Sequence, residues 1–190
     1  MFLLVIGLLL WGGLHFIPTS AHGLRSLLID KLGDGGYRGL FSVGVVASIV
    51  LMVFGYRAMP AEGALYRMPE AANILANLLM VIAFILFGAA KAKTNIKHYL
   101  QHPQLTSIIV WAVAHLIANG EPRAILLFGG LGAWALIEIV LINGREDAWQ
   151  RPQIHPWAND TKPLIISLIV FVVVLIAHPY LFGVSPIPFE

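Results

Sequence analysis

Residues 164–182 read LIISLIVFVVVLIAHPYLF and contain no Asp, Glu, Lys or Arg. An α-helix rises about 1.5 Å per residue, so crossing the roughly 30 Å hydrocarbon core of a bilayer takes about 20 apolar residues. A backbone in lipid must also satisfy its own hydrogen bonds, which a helix does. The stretch therefore predicts a helix that spans a membrane.

Five other parts of the chain share this apolar character. Only 12% of the 190 residues are charged, whereas about 25% is typical of soluble domains. The sequence therefore predicts an all-α fold, a polytopic membrane helix bundle of about six transmembrane helices, with residues 1–190 forming a single domain. The other predicted spans are 2–17, 39–56, 71–90, 98–120 and 124–143.

The basic residues predict the orientation of the bundle. Nine lie in the loops after the first, third and fifth predicted spans, and three lie on the opposite side. Because cytoplasmic loops are enriched in Lys and Arg, both termini are predicted to lie outside the cytoplasm, in a bacterial cytoplasmic (inner) membrane. The nine are Arg25, Lys31, Arg38, Lys91, Lys93, Lys97, Arg145, Arg151 and Lys162; the three are Arg57, Arg67 and Arg123.

The first apolar run also has features of a secretory signal peptide. Residues 3–14 are apolar, and Thr19, Ser20 and Ala21 resemble a cleavage site of small residues. A signal peptide begins with a basic segment, however, and here Met1 is followed directly by apolar residues. We therefore expect the first helix to be retained.

The composition excludes several classes of function. A net charge of +2 provides no basic surface for nucleic acid, so the expected surroundings are membrane lipid. The absence of Cys excludes disulfides and thiolate metal sites. The oligomeric state is not determined, because Gly129, Gly130 and Gly132 permit close contact either within the bundle or with another copy.

Among the ionisable residues within the predicted spans, four are weighed as interior candidates, namely His15, His115, Glu138 and His178. Such a residue in lipid costs at least a few kcal/mol unless it is paired or faces the bundle interior, so each is a functional candidate. His115 has Trp111 one turn before it and Asn119 one turn after it, on the same helical face. Its imidazole could bind a metal or haem iron, or it could form a hydrogen bond to a neighbouring helix.

His15 leaves the same alternatives open when it is considered alone. Two buried histidines on different helices favour a cofactor, because bis-imidazole ligation of haem b within a bundle needs one histidine from each of two helices. Glu138 has two interpretations. It either pairs with a His or Arg as a fixed counter-charge, or it carries protons because burial favours the neutral carboxyl.

The segment after the first apolar run contains His22 and Arg25. It either prolongs the first helix or lies along the membrane interface. A continuous helix would place His22 about 10 Å from His15 on the same face, where it could hold a propionate or a lipid head group. Only a helix that continues towards Arg25 brings His15 close to the midplane.

His102 has a more local interpretation. It follows His98 by four residues, a spacing that favours a shared helical face, but Pro103 comes directly after it and favours an extended residue at 102. We therefore expect His102 at the membrane interface, with Pro103 in the first turn of the fourth helix. The same spacing is weak evidence for zinc.

Two stretches resemble the NnrU family, whose plant relative is 15-cis-zeta-carotene isomerase, and the resemblance covers nearly the whole chain. The first stretch contains HFIP at 15–18 and GYRGLFS at 36–42. The second contains HPQ at 102–104, WAVAHL at 111–116 and NG at 119–120. The resemblance implies a multi-span protein that binds haem b through His15 and His115.

The resemblance also implies an activity, cis–trans isomerisation of a polyene, while bacterial members are named for an association with denitrification. Two departures limit the comparison. Ala112 stands where the plant pattern has a Cys proposed to exchange haem ligation, so that exchange is not available here. Gln101 stands where the family commonly has an Arg. Catalytic residues are not assigned.

The leading hypothesis is a haem b protein in which the iron acts on an apolar small-molecule substrate that enters from the bilayer. His102, Trp111, Asn119, Glu138, His22 and Arg25 are the candidates for supporting residues or for lining a substrate pocket. The alternative is a non-enzymatic accessory or transport protein for nitrogen-oxide metabolism, with Glu138 and the histidines along an ion path. The simplest hypothesis is a bundle whose buried polar groups only hold helices together.

Overall fold

A computed structural model describes residues 1–61, 63–145 and 148–186, and within these ranges the regular structure is entirely helical. The short helix Pro122–Ala124 continues through a π-helical turn, Ile125–Gly129, into the helix Gly130–Arg145. The helices are α1 (Phe2–Ser20), α2 (His22–Arg57), α3 (Ala72–Lys91), α4 (Ile96–Tyr99), α5 (Pro103–Ala118), α6 (Pro122–Ala124), α7 (Gly130–Arg145) and α8 (Ala158–Phe182).

The helices confirm the predicted fold class, a polytopic membrane helix bundle. Five of them are long and apolar enough to cross a membrane: α1, α2, α3, α8 and the continuous stretch Pro122–Arg145. α5 is also apolar, but it has 16 residues and is about 24 Å long. The structure therefore has five candidate spans and one shorter apolar helix among the described residues, where about six spans were predicted.

The predicted span at 98–120 is wrong at its start. The short helix α4 contains His98, the chain is extended at Leu100, and α5 begins at Pro103 with His102 as its N-cap residue. His98 and His102 therefore do not share a helix. The expectation that Pro103 lies in the first turn is confirmed, since proline fits a position where no backbone N–H is needed.

The first two helices are separated at Ala21. α1 contains Pro18 and ends at Ser20, and Ala21 (φ −114°, ψ 55°) interrupts the helix before α2 begins at His22. The prediction that this segment could prolong the first helix is therefore wrong. His15 lies five residues before the end of α1, so the continuation that would bring it to the midplane is missing.

α2 is not one straight helix. Gly33 has φ 71° and ψ 163°, a backbone conformation that essentially only glycine adopts. It divides α2 into a segment before Gly33 that carries Arg25 and Lys31 and a longer apolar segment after it. The predicted span at 39–56 lies wholly within the second segment.

The chain forms two compact units. Unit 1 comprises Met1–Leu65 and Glu121–Arg145, and unit 2 comprises Tyr66–Gly120 and Glu146–Glu190. In unit 1, α1 packs against α2 and α7. The contact with α2 is close, because a Cβ atom at Gly55 would lie 2.3 Å from the backbone nitrogen of Leu4. Gly130 packs against Leu8, so this glycine serves contact within the unit.

In unit 2, α3 packs against α5 and α8. A Cβ atom at Gly88 would lie 2.1 Å from Oγ of the buried Ser167, so glycine allows α3 and α8 to approach closely. Asn95, at the start of α4, joins this helix to the start of α8. Its Nδ2 donates to the carboxylate of Asp160 at 2.7 Å and to the carbonyl of His155 at 2.9 Å. The assignment of residues 1–190 to one domain stays a prediction.

Candidate functional site

His15 and His115 share one local structure. Each follows a tryptophan by four residues in its helix, and Nδ1 of each ring bonds that tryptophan's carbonyl oxygen, at 2.8 Å for His15 and 2.9 Å for His115. The rings also pack on the same tryptophans. The centroid distance is 4.3 Å between His15 and Trp11, and 4.8 Å between His115 and Trp111.

The carbonyl bond determines the tautomer of both rings. A carbonyl oxygen can only accept a hydrogen bond, so Nδ1 must carry the proton in each histidine. In the neutral ring the lone pair is then on Nε2, the nitrogen that a metal would take. A bond from Nδ1–H to a backbone carbonyl is also a common support for metal-binding histidines.

The surroundings of His15 are aromatic. Its ring centroid lies 5.0 Å from that of Trp134 on α7 and 5.4 Å from that of Phe41 on α2. Trp11 meets Trp134 edge to face at 5.4 Å. Three helices therefore place aromatic rings around this imidazole.

Glu138 lies one turn after Trp134 and is buried, with 6% of its surface exposed. Its Oε1 bonds the hydroxyl of Thr19, which also lies 3.2 Å from the carbonyl oxygen of His15. Its Oε2 has no hydrogen-bond partner in the described part of the chain, and neither do the indole nitrogens of Trp11 and Trp134. Unit 1 thus buries three unpartnered polar atoms on α1, which carries His15, and on α7, which packs against it.

His22 and Arg25 lie outside this cluster. Nη1 of Arg145 donates to the carbonyls of Pro18 and Thr19 at 3.1 and 3.3 Å, and lies 3.1 Å from Nε2 of His22. Arg145 therefore satisfies carbonyls that the end of α1 leaves unpaired. Arg25 lies over the ring of Tyr37 at 6.0 Å.

In unit 2, His115 lies near the end of α5. The side-chain amide of Asn119 donates to the His115 carbonyl at 3.0 Å, and the backbone N–H of Asn119 donates to the same oxygen at 2.9 Å. The hydroxyl of Tyr66 bonds the carbonyl of Leu116 and lies 3.2 Å from that of Asn119. A Cβ atom at Gly120 would lie 2.0 Å from the Tyr66 carbonyl oxygen, so this end of α5 is tightly closed.

The two remaining histidine candidates have local roles. His102 is the N-cap residue of α5. Nδ1 of His178 bonds the carbonyl of Val184 at 2.7 Å, and its ring packs on Phe182 at 4.8 Å. His178 thus joins the end of α8 to the residues that follow it.

The structure groups the predicted residues by unit. It joins His15 to Glu138 through Thr19, and it joins Trp111 and Asn119 to His115. No group of three or more His, Asp or Glu side chains suited to a metal ion occurs among the described residues. Sequence reasoning missed Trp11, Trp134, Thr19 and Tyr66. The repeated W-x-x-x-H spacing would have revealed Trp11, whereas the other three gave no signal.

The helical fold and its candidate spans define a polytopic α-helical membrane protein. The family model described as NnrU protein matches residues 3–186, and the chain belongs to the NnrU family. Searches of curated proteins and of solved structures found no match. The resemblance to the NnrU family expected from the sequence is therefore confirmed, and the relation to the plant isomerase stays a prediction.

Proposed function

We propose that the chain is a haem b protein in which His15 and His115 supply the axial ligands of the iron. The observation that carries the proposal is the hydrogen bond that each ring makes within its own helix. In each, Nδ1–H is held by the tryptophan carbonyl four residues earlier, which leaves the lone pair on Nε2. Two histidines with this support would supply the two imidazole nitrogens that bis-imidazole ligation uses.

The residues around His15 fit an apolar macrocycle. Trp11, Trp134 and Phe41 offer flat apolar rings that a macrocycle could contact. Haem bound there would supply a Lewis-acidic or one-electron centre, and the chain would supply orientation and axial ligands. Glu138, buried one turn from Trp134, would set the polarity nearby.

The substrate we propose is an apolar small molecule that enters from the bilayer. Family membership and the predominantly apolar outer surface support this. Cis–trans isomerisation of a polyene resembling zeta-carotene is the reaction we propose first. Its assay is chromatography of the isomers after incubation of the reconstituted protein with a cis polyene, beside the His115→Ala variant.

The experiment that tests cofactor binding is an absorption spectrum of protein purified from cells supplied with haem. Wild type is expected to show a Soret band, and sharp α and β bands after reduction with dithionite. His15→Ala and His115→Ala should each lose or shift these bands. His178→Ala is the matched control, because it removes another histidine from an apolar helix, and its spectrum should equal that of wild type.

Two results would contradict this assignment. A colourless wild type, purified with haem available, would exclude bound haem b. Unchanged spectra in both histidine variants would exclude these ligands. Either result would leave the common tautomer as a structural feature of the two helices.

The second candidate function is non-enzymatic support of nitrogen-oxide metabolism, as an accessory or transport protein. Family membership and the buried Glu138 in a spanning helix favour it. Deletion of the gene should then lower nitrite consumption in a denitrifying host, and the Glu138→Gln variant should fail to restore it. Normal nitrite consumption after deletion would remove this candidate.

We further propose a bacterial cytoplasmic membrane with both termini outside, supported by nine basic residues on one set of loops against three on the other. The chain contains no Cys, so single cysteines can be introduced without background. A cysteine at Lys31 should be protected from an impermeant thiol reagent in intact cells, and a cysteine at Arg67 should be labelled. Labelling at position 31 and protection at position 67 would show the opposite topology, with both termini in the cytoplasm.

A further inference from the structure

Unit 2 contains a cavity of about 250 Å³ between the end of α3 and the starts of α4 and α8. Ile85 and Ala89 of α3 and Leu164 of α8 form an apolar part of its wall. Thr94 and Asp160 add polar groups to the wall. Because α3 and α8 are candidate spans, their ends place the cavity at the membrane interface, where lipid headgroups lie. None of these residues belongs to the proposed haem site, so a ligand here would be separate from that function.

The hydroxyl of Thr94 is an unsatisfied polar group in the wall of this cavity. Thr94 is only 3% exposed, and its Oγ1 has no hydrogen-bond partner in the described part of the chain. Leaving a buried hydroxyl without a partner is unfavourable, and most such groups in proteins are satisfied. Because Thr94 lines the cavity, a polar ligand bound there can supply the partner that the neighbouring side chains do not.

The carboxylate of Asp160 is held in a fixed orientation. The backbone N–H of Asn95 donates to Oδ1 at 2.8 Å, and Nδ2 of Asn95 donates to Oδ2 at 2.7 Å. Each oxygen can accept a second hydrogen bond, and no Lys, Arg or His of the described residues forms a salt bridge with this carboxylate. The first turn of α8 favours an acid at this position, but it provides no partner for Thr94. The cavity therefore offers a negative charge and a hydroxyl to a cation.

We propose that the cavity binds the headgroup of phosphatidylethanolamine. The primary ammonium group donates hydrogen bonds to the Asp160 carboxylate and to Oγ1 of Thr94. Tyr99 also lines the cavity and is 67% exposed, so its ring is at the mouth and offers an aromatic face to the same cation. The apolar wall accommodates the glycerol end of the acyl chains, so a lipid fits the cavity better than a free amine does.

The chemistry of the cavity distinguishes this lipid from two others. A phosphatidylcholine headgroup has no N–H, so it cannot donate to Thr94. A phosphatidylglycerol headgroup has no cation for Asp160. The lysines of the loops at this end of unit 2 attract the phosphate of all three lipids, so they do not select among them. Selectivity for a primary ammonium is therefore the property that Thr94 and Asp160 should produce.

Native mass spectrometry of the full-length protein tests this selectivity. The protein is delipidated in detergent and supplied with an equimolar mixture of dioleoyl phosphatidylethanolamine, phosphatidylcholine and phosphatidylglycerol. Wild type should retain phosphatidylethanolamine about tenfold more than phosphatidylcholine, because hydrogen bonds to a charged group are lost on methylation. Lipids methylated once and twice on the nitrogen should be retained to intermediate extents. Equal retention of the three lipids, or a preference for phosphatidylglycerol, would overturn the proposal.

A water-soluble competitor distinguishes a lipid from a free amine. Phosphoethanolamine has the same ammonium and phosphate groups but no acyl chains. At the same concentration it should not displace the bound lipid, because it makes no contact with the apolar wall. Displacement would contradict a lipid as the ligand of the cavity.

Variants of the two polar residues test the site itself. Thr94→Val removes the hydroxyl at nearly constant volume and should lower the retention of phosphatidylethanolamine about tenfold, whereas Thr94→Ser should keep it. Asp160→Asn removes the negative charge and should abolish the preference over phosphatidylcholine. Thr161→Val is the matched control, because it removes an exposed hydroxyl from the same end of α8 outside the cavity.

Thermal unfolding in detergent without added lipid shows whether each variant is folded. A folded Thr94→Val or Asp160→Asn variant with the wild-type preference would overturn the assignment of that residue. An equal loss of preference in Thr161→Val would contradict a specific role for Thr94. The comparison of methylated lipids uses wild type alone, so it decides the proposal even if a variant does not fold.

Discussion

His15 and His115 have the same local structure in different surroundings. Both donate Nδ1–H to the carbonyl of a tryptophan four residues earlier. Around His15, rings from three helices and a buried carboxyl complete the environment. Around His115, polar groups close the end of its own helix. The amide of Asn119 donates to the His115 carbonyl, and the hydroxyl of Tyr66 donates to the Leu116 carbonyl.

The difference separates what a helix provides from what tertiary packing provides. Ring orientation depends on residues i−4 and i of one helix, so it is the same in both units. The polarity around each ring depends on residues far away in the chain, such as Trp134 for His15 and Tyr66 for His115. Substitutions of these distant partners should therefore change the packing around one ring without changing the packing around the other.

The largest effect is expected for Trp134→Ala, which removes a ring buried against both Trp11 and His15. The cavity should lower the free energy of unfolding by about 3 kcal/mol. Thermal unfolding in detergent measures the loss, with the exposed Trp157→Ala as the control. An equal loss in the control would show that burial at Trp134 is not the cause.

Gly120→Ala should act on the His115 site alone, because the added Cβ would lie 2.0 Å from the Tyr66 carbonyl oxygen. Overpacking of this kind costs about 1–3 kcal/mol. The matched control is Gly12→Ala, next to the His15 site, where the nearest neighbour of the added Cβ is at 3.6 Å. Similar unfolding temperatures for the two variants would contradict the close contact at Gly120.

Tyr66→Phe removes the hydroxyl that bonds the Leu116 carbonyl at the end of α5. Loss of one hydrogen bond should lower stability by about 1 kcal/mol. Hydrogen exchange of the amides near the end of α5 should increase, while exchange in α1 should not change. Tyr180→Phe, at a residue that is 88% exposed, is the control.

Asn119→Ala should have the smallest effect, about 0.5 kcal/mol, because the backbone N–H of Asn119 still donates to the His115 carbonyl. The same hydrogen-exchange experiment measures it. A loss as large as that of Gly120→Ala would mean that the side chain of Asn119 determines the end of α5.

The sequence predicted the parts of the fold that depend on local patterns. Apolar runs placed the spans, and Pro103 placed the start of α5 because proline fits the first helical turn. The exact break at Ala21 was not predictable, since alanine favours helix and the nearby Pro18 and Gly23 do not specify which residue interrupts it. Thr19 was missed for another reason, because its partner Glu138 is 119 residues away along the chain.

The site was predicted to a similar extent. An ionisable residue in an apolar span is visible in any sequence, so His15, His115 and Glu138 were found. The aromatic contacts of His15 depend on how α1, α2 and α7 pack, which no local pattern contains. The tautomers of His15 and His115 follow from helix geometry, because each ring bonds the carbonyl of the tryptophan four residues earlier.

The bend at Gly33 also determines which bilayer thickness the protein fits. A straight helix of 36 residues would be about 54 Å long, nearly twice the hydrocarbon core. The 24 residues after Gly33 extend about 36 Å, a length that a tilted span accommodates. Because a residue with a Cβ is strained at this φ, one glycine prevents a large hydrophobic mismatch and keeps Arg25 and Lys31 out of line with the span.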